Sequence, residues 1–320
     1  MKLGVLTTLY QNKPFEAMLD HVAELGLEAI ELGTGGWPGD SHCKPDELLA
    51  NKSKMRDFQK AVEKRGLIIS GLSCHGNPIH PNKDLAKEYD KVYRDTVLLA
   101  AELDIPVVNL FSGCPGDSED AVYPNWVTCA WPPEFRELLK WQWEEKVIPY
   151  WQEAGDFAAK AGIKLAFEMH PGFVVYNPET LLKLREAVGP VIGANYDPSH
   201  LFWQGIDAVA SINHLTGAIH YFHAKDTYID QRNTAINGVL DTKPFSNLSE
   251  RSWSFRTVGY GHDQLTWRSI ISALRISGYD YVVSIEHEDP LASVEEGLIK
   301  AINFLKDVLL NEPPAEMWWA

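Results

Sequence analysis

Short apolar runs alternate with amphipathic segments from one end of the chain to the other. The apolar runs are almost continuous, which is typical of parallel strands covered by helices. We predict strands at Leu3–Leu9, Ala29–Gly33, Leu67–Ser73, Val107–Phe111, Lys164–Glu168, Gly193–Asp197, Ile219–His223 and Tyr281–Glu286. The amphipathic segments predict helices, among them Phe15–Leu25, Met55–Arg65, Leu85–Leu103, Pro133–Ala161 and Leu265–Ser277, and Gly or Pro closes most of them.

Eight strand–helix units in one chain of this length predict an α/β fold, a (β/α)8 TIM barrel, with residues 1–320 as a single domain. A doubly wound open sheet has the same pattern, but the first turn lacks a GxGxxG phosphate loop. Two βα loops are long, residues 112–132 after strand 4 and residues 226–262 after strand 7. Both leave the carboxyl ends of strands, where barrel active sites lie, so we interpret them as lids rather than plain surface loops.

The charge composition limits the kinds of molecule that the protein is expected to bind. The 29 Lys and Arg residues against 44 Asp and Glu residues give a net charge of −15, which argues against nucleic acid and anionic membranes as partners. A secretory signal and an apolar stretch of ~20 residues, as a membrane span needs, are not apparent. The four cysteines lack CxxC spacing. We therefore expect a cytoplasmic protein that acts on a small molecule.

Polar residues end four consecutive predicted strands, in the segments KLAFEMHP, GANYDPSH, IHYFHAKD and VVSIEHEDP. Since alternate strand side chains point to opposite faces, each strand delivers one potential metal ligand to the barrel mouth: Glu168, Asp197, His223 and Glu286. Three carboxylates and an imidazole would repel one another without a cation. The oxygen-rich set favours Mn²⁺ or Mg²⁺, with Co²⁺ or Zn²⁺ as alternatives. Each acid alone could instead cap a helix or form an ion pair with an arginine, and a lone histidine is more often hydrogen-bonded within the protein than bound to a metal.

The motifs FEMHP, NYDPSH, HAKD, RTVGYGHD and GYDYVVSIEHED resemble those of the sugar phosphate isomerase/epimerase superfamily, the xylose isomerase-like TIM barrels. The resemblance covers essentially the whole chain. It implies that the same four strand-end residues bind a divalent, manganese-like metal and that the substrate is a sugar or keto-sugar. The family's PGxG turn occurs here as residues 258–261 without its proline, which leaves the role of the turn open.

The expected chemistry is abstraction of a proton α to a carbonyl through an enediolate, stabilised by the metal. Glu168 and Glu286, from opposite sides of the ligand arc, form the predicted acid/base pair. Return of the proton would make the protein an isomerase or epimerase. Loss of a β-substituent would make it a dehydratase or lyase acting on a keto-sugar, inosose or 3-keto-glycoside, and the sequence leaves these outcomes open.

Position predicts further substrate contacts at His75, His170, Lys225 and Arg256, and the resemblance implies one at His200. Aromatic stacking on a sugar ring is expected of Trp126 or Trp131. The terminal MWWA segment indicates docking on the chain's own barrel or on another chain, so a homo-oligomer stays open. Two remote alternatives are an AP endonuclease-like enzyme, against which the acidic charge speaks, and a non-catalytic binding barrel, which would not need four intact ligands.

Overall fold

The computed structural model describes residues 1–319. Its strands in chain order are β1 (Lys2–Leu6), β2 (Ala29–Gly33), β3 (Ile68–Ser73), β4 (Val107–Leu110), β5 (Lys164–Glu168), β6 (Ile192–Tyr196), β7 (Ile219–Ala224), β8 (Asp226–Ile229), β9 (Trp253–Arg256) and β10 (Val282–Ile285). Within residues 1–319, eight of these strands form a closed parallel barrel in the order β1–β7, then β10. The predicted (β/α)8 barrel is therefore confirmed.

Helices follow the barrel strands and cover them on the outside. They are α1 (Phe15–Glu24), α2 (Pro45–Ala50), α3 (Lys52–Glu63), α4 (Lys83–Glu102), α5 (Pro133–Trp141), α6 (Ile148–Lys160), α7 (Pro178–Val188), α8 (Pro198–Phe202), α9 (Ala208–His214), α10 (Gln231–Asn237), α11 (Gln264–Ile276) and α12 (Val294–Val308). The single helix predicted over Pro133–Ala161 is interrupted by a π-helical segment at Gln142–Val147. This segment precedes Pro149, whose nitrogen cannot donate a helical hydrogen bond.

Side chains fill the barrel interior beneath the carboxyl ends of its strands. Val107, Ala166 and Tyr221 come from three barrel strands and form a cluster separate from the main core. The Tyr221 hydroxyl lies 2.6 Å from Ser70 Oγ, so it joins β7 to β3 across the barrel. Ala166 shares the inward side of β5 with Glu168, as the strand alternation predicts. The interior is thus packed with side chains, and polar groups are concentrated at the carboxyl ends of the strands.

Parallel pairing brings those strand ends level with one another. Glu168 of β5 is in register with Asn195 of β6, and His223 of β7 is in register with Ser284 of β10. Because backbone ladders fix these registers, the side chains at the strand ends have little freedom to move relative to one another.

The two long βα loops are present as predicted, but they are built differently. The segment after β4 runs to α5 without a strand or helix among its described residues. The segment after β7 contains β8, α10 and β9, and β8 pairs with β9 in a separate antiparallel ribbon. The ribbon was not predicted from the sequence. Across residues 1–319, the helices are too short or too polar to cross a membrane.

At the carboxyl end, Trp318 and Trp319 are exposed by 87% and 67%. Their predicted docking on the chain's own barrel is therefore not observed, and docking on another chain stays a prediction. Ala320, the last residue of the MWWA segment, lies outside the described residues.

Candidate metal centre and adjoining cavities

Four side chains meet at the open end of the barrel. Glu168 ends β5, His223 lies in β7, and Asp197 and Glu286 directly follow β6 and β10. One ligand atom from each lies within 4.8 Å of the others. Asp197 also caps α8, since its Oδ1 accepts a hydrogen bond from Ser199 N at 2.8 Å. The structure therefore brings the four predicted ligands together, while their binding of a metal stays a prediction.

The oxygen atoms of this group are suited to a cation. Asp197 Oδ2 and Glu286 Oε2 are buried and accept no well-aligned hydrogen bond from any described residue. Lys225 Nζ lies 3.2 Å and 3.0 Å from these two oxygens, close enough for charge attraction but poorly oriented for donation. Buried oxygens are rarely left without a hydrogen-bonding or metal partner. Free lone pairs on converging carboxylates fit a divalent cation.

His223 is oriented by Glu31, a residue that sequence reasoning missed. His223 Nε2 lies 2.9 Å from Glu31 Oε2, which assigns the ring proton to Nε2. His223 Nδ1 then faces Glu286 Oε2 at 3.0 Å and is the nitrogen that would bind a metal. Histidine ligands in metal sites are commonly held in this way by a carboxylate. The available signal was a charged residue inside the apolar run AIELG.

Glu31 is fixed in turn by hydrogen bonds from three strands. Asn109 Nδ2 and Ser284 Oγ each donate to it at 2.7 Å, and Ser73 Oγ donates as well. Burial alone would raise the pKa of Glu31, but His223 and the two serine hydroxyls bring it below its usual value. Burial also disfavours the charged form of His223, yet the adjacent carboxylates raise the pKa of His223 well above its usual value, so a metal would displace a proton from Nδ1.

Imidazoles surround Glu168. His200 Nε2 lies 2.9 Å from Glu168 Oε1, and His75 Nε2 lies 3.0 Å from Glu168 Oε2. Burial alone would raise the pKa of Glu168, but His200, His223 and His75 lower it well below its usual value. Glu168 is therefore held as a carboxylate.

His170 packs against His200, with ring centroids 4.1 Å apart. Its Nδ1 donates to the carbonyl oxygen of Pro171 at 2.6 Å, which leaves Nε2 as an acceptor. Burial and the neighbouring His200 lower the pKa of His170 to about 3. His170 is thus a neutral hydrogen-bond acceptor at the edge of the site.

Lys225 is 98% buried and lies among carboxylates. Besides its contacts with Asp197 and Glu286, Lys225 Nζ donates to Glu288 Oε2 at 3.1 Å. Burial opposes the charged form, but these carboxylates raise the pKa of Lys225 well above its usual value. The predicted position of Lys225 at the site agrees with this geometry.

Arg256 is placed differently from the other predicted substrate contacts. Its Nε donates to both carboxylate oxygens of Asp289 at 3.1 Å, and Asp289 also accepts from Thr257 N. Arg256 Nε is thus engaged by a buried acid at the base of the β8–β9 ribbon, and a contact of Arg256 with the substrate stays a prediction.

A polar cavity of about 390 Å³ opens onto the cluster. It is lined by Glu168, Glu286, Lys225, His75, His170 and Glu288 on its polar side, and by Trp37, Phe111 and Phe173 among others on its apolar side. The Phe111 and Phe173 rings stack with centroids 4.4 Å apart, and His75 meets Phe111 edge-on. Sequence reasoning did not find these three aromatic residues, since apolar rings in loops look like ordinary packing.

An aromatic cavity of about 700 Å³ adjoins the polar one and shares His170 and Glu288 with it. Trp126, Trp203, Phe245, Trp253 and Phe255 form much of its lining. Trp126, one of the two residues predicted to stack on a sugar ring, therefore lies at a cavity. The other alternative, Trp131, is 75% exposed on the surface.

Comparison with known proteins identifies the same barrel architecture. A family model described as "xylose isomerase-like TIM barrel" matches residues 19–308. The uncharacterized protein YfiH of Bacillus subtilis (strain 168) is 39% identical over 97% of this chain and 99% of its own length. An inosose dehydratase of Geobacillus thermodenitrificans (strain NG80-2) is 26% identical over 96% of this chain and 97% of its own.

Solved structures share the fold at lower identity. The probable 3-DHS dehydratase AsbF of Bacillus anthracis superposes with a TM-score of 0.67 at 17% identity, covering 96% of this chain and 99% of that one. A D-tagatose 3-epimerase-like protein gives 0.64 at 19% identity, with coverage of 96% and 97%. IOLI protein with a bound zinc atom gives 0.63 at 18% identity, with coverage of 97% and 98%.

Proposed function

The chain belongs to the xylose isomerase-like TIM barrel family, and we propose that it is a divalent-metal-dependent isomerase or epimerase of a sugar or keto-sugar. The reaction would begin with abstraction of a proton α to a carbonyl. One observation carries this proposal: Glu168, Asp197, His223 and Glu286 converge within 4.8 Å at the opening of a cavity. Two of their buried oxygens accept no well-aligned hydrogen bond from residues 1–319.

These four side chains would hold the metal, and Glu31 would hold His223 in the ligating tautomer. A divalent cation bound there would stabilise negative charge that develops on neighbouring substrate oxygens. Three carboxylates and one imidazole favour Mn²⁺ or Mg²⁺, and Co²⁺ or Zn²⁺ are compatible with the same set. The zinc in the related IOLI structure is consistent with this range.

Glu168 and Glu286 would transfer the protons. Both line the polar cavity, and β6 and β7 separate the strands from which they come. Burial opposes ionisation of Glu286, but Lys225 and His223 lower the pKa of Glu286 to about 2. With Glu168 also ionised, either carboxylate can accept a proton from a substrate carbon at neutral pH. Removal by one and return through the other would change the configuration or move the carbonyl.

The surrounding residues would position the sugar. Neutral His170 would accept a hydrogen bond from a substrate hydroxyl through Nε2. The Lys225 ammonium would donate to a carbonyl or hydroxyl oxygen beside Glu286. Trp37, which is 57% exposed at the cavity, would cover an apolar face of the sugar ring. His75 and His200 would hold the orientation of Glu168.

Elimination is the second candidate outcome, and the relationship to an inosose dehydratase favours it. The first step would be the same proton abstraction. The Lys225 ammonium lies 3.0 Å from Glu286 Oε2, so it could protonate a departing hydroxyl group near that carboxylate. In elimination the β-substituent departs and the abstracted proton is not returned to carbon, whereas isomerisation and epimerisation return a proton to carbon.

The test combines metal analysis with proton exchange. The purified full chain should contain a divalent metal at one equivalent, and in D₂O it should exchange the α-proton of a ketose, an inosose or a 3-keto-glucoside, as followed by NMR. A changed configuration at that carbon would indicate epimerisation, and a new alkene or enol signal would indicate elimination. Absence of both metal and exchange would contradict the proposal.

A further inference from the structure

The aromatic cavity is larger than the reacting part of a simple sugar requires. The polar cavity already offers about 390 Å³ at the acid/base pair, and the aromatic cavity adds about 700 Å³. Pockets of roughly 300–1,000 Å³ commonly hold an entire small ligand. A free monosaccharide bound in the polar cavity would leave the second cavity empty.

The wall of the aromatic cavity is well packed. Trp203 stacks on Trp253 with centroids 4.6 Å apart and an angle of 4° between their planes. Phe245 stacks on Phe255 at 5.6 Å. The Arg251 guanidinium lies over the rings of Phe245 and Trp253 at 4.1 Å and 4.8 Å. These contacts hold the rings in place before any ligand arrives.

The same wall keeps apolar surface in contact with solvent and reaches the metal centre. Phe245 is 50% exposed and Leu240 is 70% exposed at this cavity. Phe255 meets the edge of His200 at 5.2 Å, and His200 contacts Glu168. Exposed apolar side chains beside a reactive group are typical of a ligand site.

We propose that the aromatic cavity binds the aglycone of a glycoside whose sugar ring occupies the polar cavity. The aglycone presents an apolar ring face, either an aryl group or the C–H face of a second sugar. This inference rests on the proposed function, because it assumes that the sugar ring reacts at the metal centre.

The chemistry restricts the substrate further. In a glycoside the anomeric carbon is an acetal, so it offers no carbonyl that could acidify a neighbouring proton. For the keto-sugar chemistry proposed above, the carbonyl is then a ketone at another carbon of the ring. The substrate is therefore a keto-glycoside, and a reaction that oxidises a ring hydroxyl to a ketone must supply it.

The test compares three probes on the metal-loaded full chain: methyl 3-keto-β-D-glucopyranoside, phenyl 3-keto-β-D-glucopyranoside and 3-keto-cellobiose. Intrinsic tryptophan fluorescence gives the dissociation constants, and NMR in D₂O gives exchange. We expect the phenyl or the disaccharide probe to bind about tenfold more tightly than the methyl probe. Phe245→Ala should remove this difference, while Trp131→Ala, at an exposed loop position, should preserve it.

Equal affinities for the three probes, including no measurable binding of any, would overturn the inference, as would an unchanged preference in Phe245→Ala. Failure of the proposed function gives a different result. Tighter binding of the phenyl probe, without exchange of any of the three probes, would refute proton abstraction from them and support the subsite. Exchange at equal rates and affinities for all probes would support proton abstraction and refute the subsite.

Discussion

The polar and aromatic cavities lie side by side, yet they are built from different parts of the fold. The ligand cluster of the polar cavity comes from the ends of barrel strands, whose positions are set by the hydrogen-bonded ladder. The aromatic cavity is lined mainly by loop segments, including residues 240–245 and the β8–β9 ribbon. In the proposed function, chemistry that needs tenths of an ångström would be placed on rigid elements, while loops would form the region that selects the substrate.

The carboxylates beside the two cavities also differ in their hydrogen-bond partners. At the ligand cluster beside the polar cavity, Asp197 Oδ2 and Glu286 Oε2 accept no well-aligned hydrogen bond from residues 1–319. At the aromatic cavity, Asp241 accepts hydrogen bonds from Ser252 N at 2.7 Å and from Lys243 N at 2.9 Å. Burial opposes its ionisation, but these donors and the Lys243 ammonium lower the pKa of Asp241 to about 2. The first set of carboxylates is available to a cation, and the second maintains loop structure.

The largest effect is expected at the acid/base pair. Glu168→Gln should reduce α-proton exchange at saturating metal by about 10²–10⁴-fold, because the amide cannot accept the proton. The exchange rate by NMR in D₂O is the measurement, with Glu179→Gln on the exposed surface of α7 as the matched control. Exchange at the wild-type rate in Glu168→Gln would remove Glu168 as the base.

A smaller effect is expected at Glu31, which contacts the proposed metal ligand His223. Glu31→Gln should weaken metal binding by about 10–100-fold, because the amide holds His223 Nε2–H less strongly. Titration of the apoprotein with Mn²⁺ or Zn²⁺ measures this loss. Glu28→Gln makes the same chemical change at an exposed position before β2 and should bind metal like the wild type. Equal affinities in the two variants would show that Glu31 does not position His223.

The smallest effect on the metal centre is expected from a change in the long loop that also carries the aromatic wall. Buried Asp226 Oδ2 accepts hydrogen bonds from the amides of Gly259, Gly261 and His262 at 2.9–3.1 Å. Asp226→Asn should lower the free energy of unfolding by about 1–3 kcal/mol, since its amide group would face these donors. Metal affinity should stay unchanged.

Urea unfolding and metal titration check this prediction, with Asp120→Asn in the exposed loop after β4 as the control. A loss of metal affinity as large as that of Glu31→Gln would mean that the loop and the strand ends are one unit. The distinction between the two cavities would then not hold.

The role of residues 258–261, left open by the sequence, follows from the same contacts. A Cβ atom on Gly261 would lie 2.3 Å from the carbonyl oxygen of Thr227 and 2.6 Å from Asp226 Oδ1. The backbone can approach the carboxylate this closely only without a side chain. The turn is thus a cradle of amide groups for Asp226, and its missing proline does not prevent it from forming.

Much of the polar cavity could be predicted because strand alternation needs no knowledge of distant contacts. Glu168, Asp197, His223 and Glu286 each stand at the end of an apolar run, and parallel pairing places such ends at one face. Arg256 was predicted to contact the substrate because it lies in the long loop after β7, and its pairing with Asp289 was not predicted. Its partner Asp289 is 33 residues away, and this pairing exists only after the ribbon folds against the strand end.

Glu31 and the aromatic residues show the same limit. A glutamate inside AIELG is visible in the sequence, but its contact with His223 spans 192 residues and depends on closure of the barrel. Trp37, Phe111 and Phe173 come from three separate loops and meet at one cavity only in the folded chain. Apolar side chains carry no local mark that separates packing from ligand binding.

The sequence by itself determined the barrel, its long loops and the four strand-end side chains, because hydrophobic periodicity and side-chain alternation are local properties of the chain. Only the tertiary structure decided which nitrogen of His223 faces the other three predicted ligands, which carboxylates maintain loops and where a second cavity opens. Those features depend on contacts between residues far apart in the chain, and such contacts are specified by packing rather than by any local pattern.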